Sequence, residues 1–79
     1  MDLEGRHPAT QHLAQYFAFE HLASPLRDIS SRCAMLAEMM IGELPDGPEL
    51  TTGLRKLLEA KDCFVRAALD LPDPRARGG

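Results

Sequence analysis

Proline decides how this chain can be divided into helices. Pro25 and Pro48 each stand just ahead of a long amphipathic stretch, and Pro72 stands just behind the second. A proline suits the first position of a helix, where its missing N–H would go unpaired anyway, but a helix cannot run through it unbroken. The segment "ASPLRDIS" therefore predicts a helix that starts at Pro25 with Ser24 as its N-cap. Along it Leu26, Ile29, Cys33, Leu36, Ala37, Met40, Ile41 and Leu44 recur on one face. In "LPDGPEL", Asp46 and Gly47 predict a turn and Pro48 a second helix start. Glu49 then lies in the first turn, at the positive end of the helix dipole. This helix is expected to reach about Asp70, with Gly53 in its second turn costing about 1 kcal/mol relative to Ala.

With only "ELPDGP" between them, the two helices are expected to fold back as an antiparallel hairpin. The segment before them, "HPATQHLAQYFAFEHLA", places Leu13, Tyr16 and Phe17 on one helical face and Phe19 and Leu22 on another. It reads as a short helix to about Ala18, followed by a bend into Ser24 and Pro25. The expected fold is thus all-α, an antiparallel helical hairpin with a short N-terminal helix. It forms one domain over residues 8–71, flanked by flexible tails at 1–7 and 72–79.

Roughly 60 ordered residues make a marginal core without disulfides, a metal or self-association. Cys33 and Cys63 are too few for a secreted disulfide scaffold, and a reducing cytoplasm is the simpler reading. The N-terminus lacks a signal-peptide pattern, and no run approaches the roughly 18 apolar residues of a membrane span. Twelve acidic residues outnumber nine basic ones, and Arg75 and Arg77 are the nearest approach to a basic tail. Without a basic stripe, neither DNA nor RNA is an expected partner. The expectation is a protein of the cytosol with no membrane association.

Two further surfaces point to assembly. Met35 and Met39 lie off the main apolar face of the first long helix, and Gly53, Ala60 and Ala67 recur every seven residues on the second. Small residues let another helix approach closely, and methionines adapt to irregular partners. The N-terminal segment is too short to cover both surfaces, so a homo-oligomer is expected.

Catalytic chemistry is hard to build from these residues. His7, His12 and His21 have neither H-x-x-x-H nor C-x-x-C spacing, so no metal and no cofactor is expected. Cys33 sits in an apolar stripe and behaves as a small hydrophobe. Glu59 with Asp62 or Arg66 reads as helix-surface pairing, and no phosphate loop or nucleophile elbow is present. The chain is not expected to be an enzyme.

One residue looks misplaced. In "LRKLLEAKDCFVRAAL", Leu54, Leu57, Leu58, Phe64, Val65 and Ala68 share a helical face, and Lys61 falls in its middle. Its stem can lie over apolar neighbours while the ammonium reaches water at the rim. Alternatively, the ammonium meets an anion in a pocket shared between protomers, supplied by a carboxylate such as Glu20 or by a phosphate.

The blocks "HLxxPLxxxS", "LPDGPELT" and "LRKLLEAKDCFVRAAL" make the chain similar to small proteins of actinobacterial phages and prophages. Over about residues 12–71 it resembles the helical-hairpin domain of phage cyclic-nucleotide sponges, the anti-CBASS and anti-Thoeris family. Pro48, Arg55 and Val65-Arg66-Ala67 meet that signature. The resemblance implies a symmetric homo-oligomer, often a hexamer, that sequesters cyclic di- or trinucleotides or ADP-ribose-derived signals without cleaving them. Pockets between protomers would hold bases against aromatic groups and phosphates against basic or hydroxyl groups. By residue type, Tyr16, Phe17 and Phe19 would supply stacking planes. Lys61, Arg55 and Arg66 would offset phosphate charge, and Thr51 and Thr52 would add hydroxyl donors. The alternative is a helical module that binds a host or phage protein, with no small ligand.

Overall fold

The computed structural model describes residues 3–71, and the tail expected at 72–79 lies outside the described residues. Helix α1 spans Pro8–Ala14 and tightens into a single 3-10 turn, Gln15–Phe17. Helix α2 spans Leu26–Glu43 and α3 spans Pro48–Ala68. Residues 44–47 join the long helices, so α3 folds back along α2. Ala68, at the end of α3, and Leu71, just beyond it, lie beside Ile29 and Cys33, while Leu50 and Gly53 lie beside Met40 and Leu44. The antiparallel hairpin follows from the prolines, and Pro48 occupies the first turn of α3 as its fixed φ favours.

Several boundaries and faces differ from expectation. Helix α2 starts at Leu26, after Pro25, and the Ser24–Pro25 peptide is cis. The Ser24 hydroxyl donates to the Asp28 carboxylate at 3.2 Å and does not cap the helix backbone. Helix α3 ends at Ala68, and the next three residues turn through i→i−3 bonds from Leu69, Asp70 and Leu71. Along α2 the buried stripe is Ser30, Cys33, Ala34, Ala37 and Ile41, whereas Leu36 and Leu44 are exposed. The stripe turns toward Ala34 because α2 is covered from two sides. One cover is α3, through Leu50 and Leu54, and the other is the N-terminal segment, through Leu13, Ala14 and Phe17. Small residues in the seam let both approach. Ser30 Oγ is buried there without a hydrogen-bond partner among the described residues.

What ties the N-terminal segment down is a cluster around Asp46, in the connection. Pro8 starts α1, yet the residue before it is His7, a poor source of capping oxygens. The structure supplies acceptors in two ways. His7 Nδ1 accepts the Ala9 N–H at 3.0 Å, and the Asp46 carboxylate accepts the His7 N–H at 2.9 Å and the Thr10 hydroxyl at 3.1 Å. Arg6 completes the cluster. Its Nε donates to Asp46 at 3.0 Å, and its other nitrogens donate to the Ile41 and Leu44 carbonyls, which end α2 without helical partners. Residues 3–7, expected to be part of a flexible tail, are thus fixed to the turn of the hairpin. Leu3 packs on the core beside them. The His7 backbone N–H, then Arg6 and Thr10, hold the Asp46 carboxyl below its ordinary range against a smaller opposing effect of burial.

Candidate functional site

Lys61 resolves first, because its partner is neither water alone nor a carboxylate from afar. Its ammonium donates to the main-chain carbonyl of Tyr16 at 2.7 Å. That carbonyl belongs to the 3-10 turn ending the N-terminal helical segment, where carbonyls lack helical partners. Lys61 therefore acts across the tertiary interface as a C-terminal cap. Asp62 lies 3.6 Å from the same nitrogen, and the Phe17 ring centroid 6.0 Å away. The lysine side chain is 13% exposed, so its stem is covered while the charge stays near the rim. Glu20, suggested as its counter-ion, instead accepts the Phe19 N–H at 3.1 Å. Main-chain donors at Glu20 and Phe19 lower its pKa.

Lys61 also forms part of a mixed groove of about 400 Å³ between the N-terminal segment and α3. Gln15, Tyr16, Ala18, His21 and Leu22 line one wall, and Lys61, Asp62, Val65 and Arg66 the other. Tyr16 is 49% exposed, and His12 meets its ring edge-on at 5.4 Å. Arg66 projects from the last turns of α3, where its guanidinium reaches Cys63 Sγ at 3.4 Å. An aromatic surface and two cations thus come together, on elements held by the Lys61–Tyr16 bond.

The other expected site residues do not join them. Phe17 is 2% exposed and belongs to the core, so its ring has no open face for a base. Phe19 is half-buried in a different groove, beside Glu20, Ala34 and Glu38. The Thr51 hydroxyl donates to carbonyls of its own helix, at 3.3 Å to Gly47 and 3.1 Å to Pro48. Thr52 and Arg55 are exposed on the first turns of α3. Arg55 lies six positions before Lys61, about 9 Å along the axis and far round the helix. His21 is the groove residue that residue-type reasoning left without a role. Its position after the Ala18 bend gave no helical register from which to place it.

A second feature is apolar. On the side of the hairpin away from α1, Ile29, Cys33, Leu36, Leu57, Phe64 and Leu71 line an open groove of about 510 Å³. It continues past Leu36 and Leu57 to a smaller hollow at Met40, Leu44 and Gly53. Leu36 is 44% exposed and Phe64 55%, although both were expected to face the hairpin seam. Met35 and Met39, at 60% and 54%, extend the exposed apolar surface of α2. Cys33 lies under the groove, and burial raises its thiol pKa against the weaker pull of Lys61.

Among the described residues, no three His, Cys, Asp or Glu side chains are grouped to hold a metal ion. No described helix is long and apolar enough to cross a membrane. Neither the protein-family models nor the curated proteins or solved structures contain a match to the chain.

Proposed function

We propose that the chain is a phage-encoded, non-enzymatic protein of the bacterial cytosol that assembles with copies of itself and sequesters a cyclic nucleotide second messenger. The observation that carries this reading is the mixed groove, which brings Tyr16, Lys61 and Arg66 together although they lie up to 50 residues apart in the chain. A cyclic nucleotide presents flat bases beside phosphodiester anions, and such a groove offers an aromatic surface beside cations. The groove is open, so one protomer provides only part of an enclosure. A further copy in a homo-oligomer would supply the rest, and the exposed apolar α2–α3 face offers a separate surface through which copies pack. The similarity to small actinobacterial phage proteins, and through them the resemblance over about residues 12–71 to phage sponges, points the same way.

Thermal unfolding with a panel of cyclic di- and trinucleotides and ADP-ribose isomers tests the reading. A ligand at 100 times its Kd adds about 2.7 kcal/mol to the folded state. For a domain of this size that is a rise on the order of 10 °C. The ligand should be recovered intact after the protein is denatured. No shift with any member of the panel, or recovery of hydrolysed product, would refute the proposal.

The apolar α2–α3 face supports a second reading, a helical module that binds a host or phage protein. Under that reading Leu36→Glu abolishes partner capture in infected-cell extracts, and no nucleotide raises the melting temperature. Sequestration predicts a nucleotide-dependent shift instead.

A further inference from the structure

Lys61 already has an acceptor, so an anion in the mixed groove needs other donors. The Tyr16 carbonyl takes one ammonium N–H at 2.7 Å, and Asp62 lies 3.6 Å away to offset the charge. Arg66 differs. A guanidinium carries five N–H donors in a planar fork, and its contact with Cys63 Sγ at 3.4 Å engages one nitrogen weakly. His21 lines the facing wall of the same groove and is exposed to solvent.

We propose that His21 and Arg66 are the anion-binding pair of this groove, and that protonation of His21 tightens its hold on phosphodiesters and related oxyanions. The proposal rests on the sequestration reading for the ligand's biological identity, but its chemistry concerns the oxyanion alone. Histidine is the side-chain type whose charge ordinarily changes between about pH 5 and 8. The charged groups facing His21 are Lys61, Asp62 and Arg66 on α3. Glu20 is its chain neighbour and is influenced by both His21 and Arg27. With His21 neutral, Lys61 and Arg66 against Asp62 leave the groove one positive charge, and protonation makes it two. Counting Glu20 beside His21 as well, the surroundings pass from neutral to one positive charge on protonation, in a chain whose net charge is −3.

Sulfate is a suitable probe, because it keeps its charge between pH 5.5 and 7.5. Its binding is followed by amide and histidine side-chain NMR shifts at constant ionic strength. The wild-type protein should bind sulfate about threefold or more tightly at pH 5.5 than at pH 7.5. His21→Gln should remove that difference and bind at both pH values as the wild type does at pH 7.5. Arg66→Gln should weaken binding at both, while Lys56→Gln, which removes a remote exposed charge, should behave as wild type. All three positions are exposed, and the amide spectra verify that the variants remain folded. Absent sulfate binding at pH 5.5, a pH dependence that survives His21→Gln, or wild-type binding by Arg66→Gln would each overturn the proposal. Sulfate binding with the expected pattern but no response to any cyclic nucleotide would uphold this pair and refute sequestration. Nucleotide binding with a flat pH profile would do the reverse.

Discussion

Replacing Lys61 with methionine should destabilise the free protein, the opposite of what a lysine stranded in an apolar face would predict. Methionine keeps most of the stem's volume and contacts, so the change chiefly removes the ammonium. The main loss is the 2.7 Å hydrogen bond to the Tyr16 carbonyl. A hydrogen bond from a charged donor contributes about 1.5–3 kcal/mol, and water can reach this rim to replace part of it, leaving about 1 kcal/mol. The Asp62 pair at 3.6 Å adds little, because the Asp62 side chain is 51% exposed. The Phe17 ring, 6.0 Å from the nitrogen, stands at the limit of cation–π range and adds at most about 0.5 kcal/mol. Relief from holding a charge over apolar neighbours offsets some of this, so the expected net loss is about 1 kcal/mol. For a domain of this size the melting temperature should fall by about 4–8 °C. The assay is thermal and urea unfolding at one fixed protein concentration, because self-association would itself raise the midpoint. Raising the salt concentration should leave most of the difference, since a short hydrogen bond at a covered site is screened less than an exposed ion pair. An unchanged or higher midpoint for Lys61→Met would refute the capping role.

Asp46 should give the stability curve an acid limb. Its folded pKa is depressed, so its contribution is present above the ordinary aspartate range of about pH 4 and lost as pH falls through the folded value. Asp46→Asn should flatten this limb in an acid titration, and an unchanged limb would show that the Arg6–Asp46 cluster has no such role. In the native protein Cys63 should react with a maleimide while buried Cys33 stays protected, and rapid labelling of both would contradict the packing of the hairpin. Gly53→Ala should stabilise the chain by about 0.5–1 kcal/mol, since a Cβ there meets no atom within 4 Å; a lower urea midpoint would refute this. Light scattering at micromolar concentration should show at least a dimer, and Leu36→Glu should convert it to the 8.7 kDa monomer. A wild type that is already monomeric would remove the assembly from the proposed function.

The long helices were legible because their starts are local chemistry: Pro25 and Pro48 act on the backbone whatever the rest of the chain does. Faces were less legible because burial depends on what arrives from elsewhere. Leu36 fits the periodic stripe of α2 as well as Cys33 does, yet Cys33 is buried in the core cluster while Leu36 is left 44% exposed on the open side. Ser30 and Ala34 were passed over because a hydropathy pattern ranks size and polarity, whereas a seam approached from two sides selects small residues. The Arg6–Asp46 cluster spans 40 residues, and no periodicity can reveal it. A hint did exist in Pro8, a helix start preceded by no Ser, Thr, Asp or Asn cap, which implied a capping acceptor from elsewhere.

The candidate site divides along the same line. Residue type alone grouped Phe17 with Tyr16 as stacking aromatics, although their positions one apart on a tight turn send one ring into the core and the other to solvent. The conflict at Lys61 was visible in the sequence, but its resolution was not, because main-chain carbonyls have no residue type. Its hydrogen bond joins α3 to the N-terminal segment at one end of that segment, and the Arg6–Asp46 cluster joins the segment to the hairpin turn at the other. Of the two, only the Lys61 tie lies in the groove, whose walls carry His21 on one side and Arg66 on the other. Under the proposed function, loss of the Lys61 tie would lower affinity and stability together, because the same ammonium lines the groove and holds the Tyr16 carbonyl. A change at His21 or Arg66 would alter affinity alone.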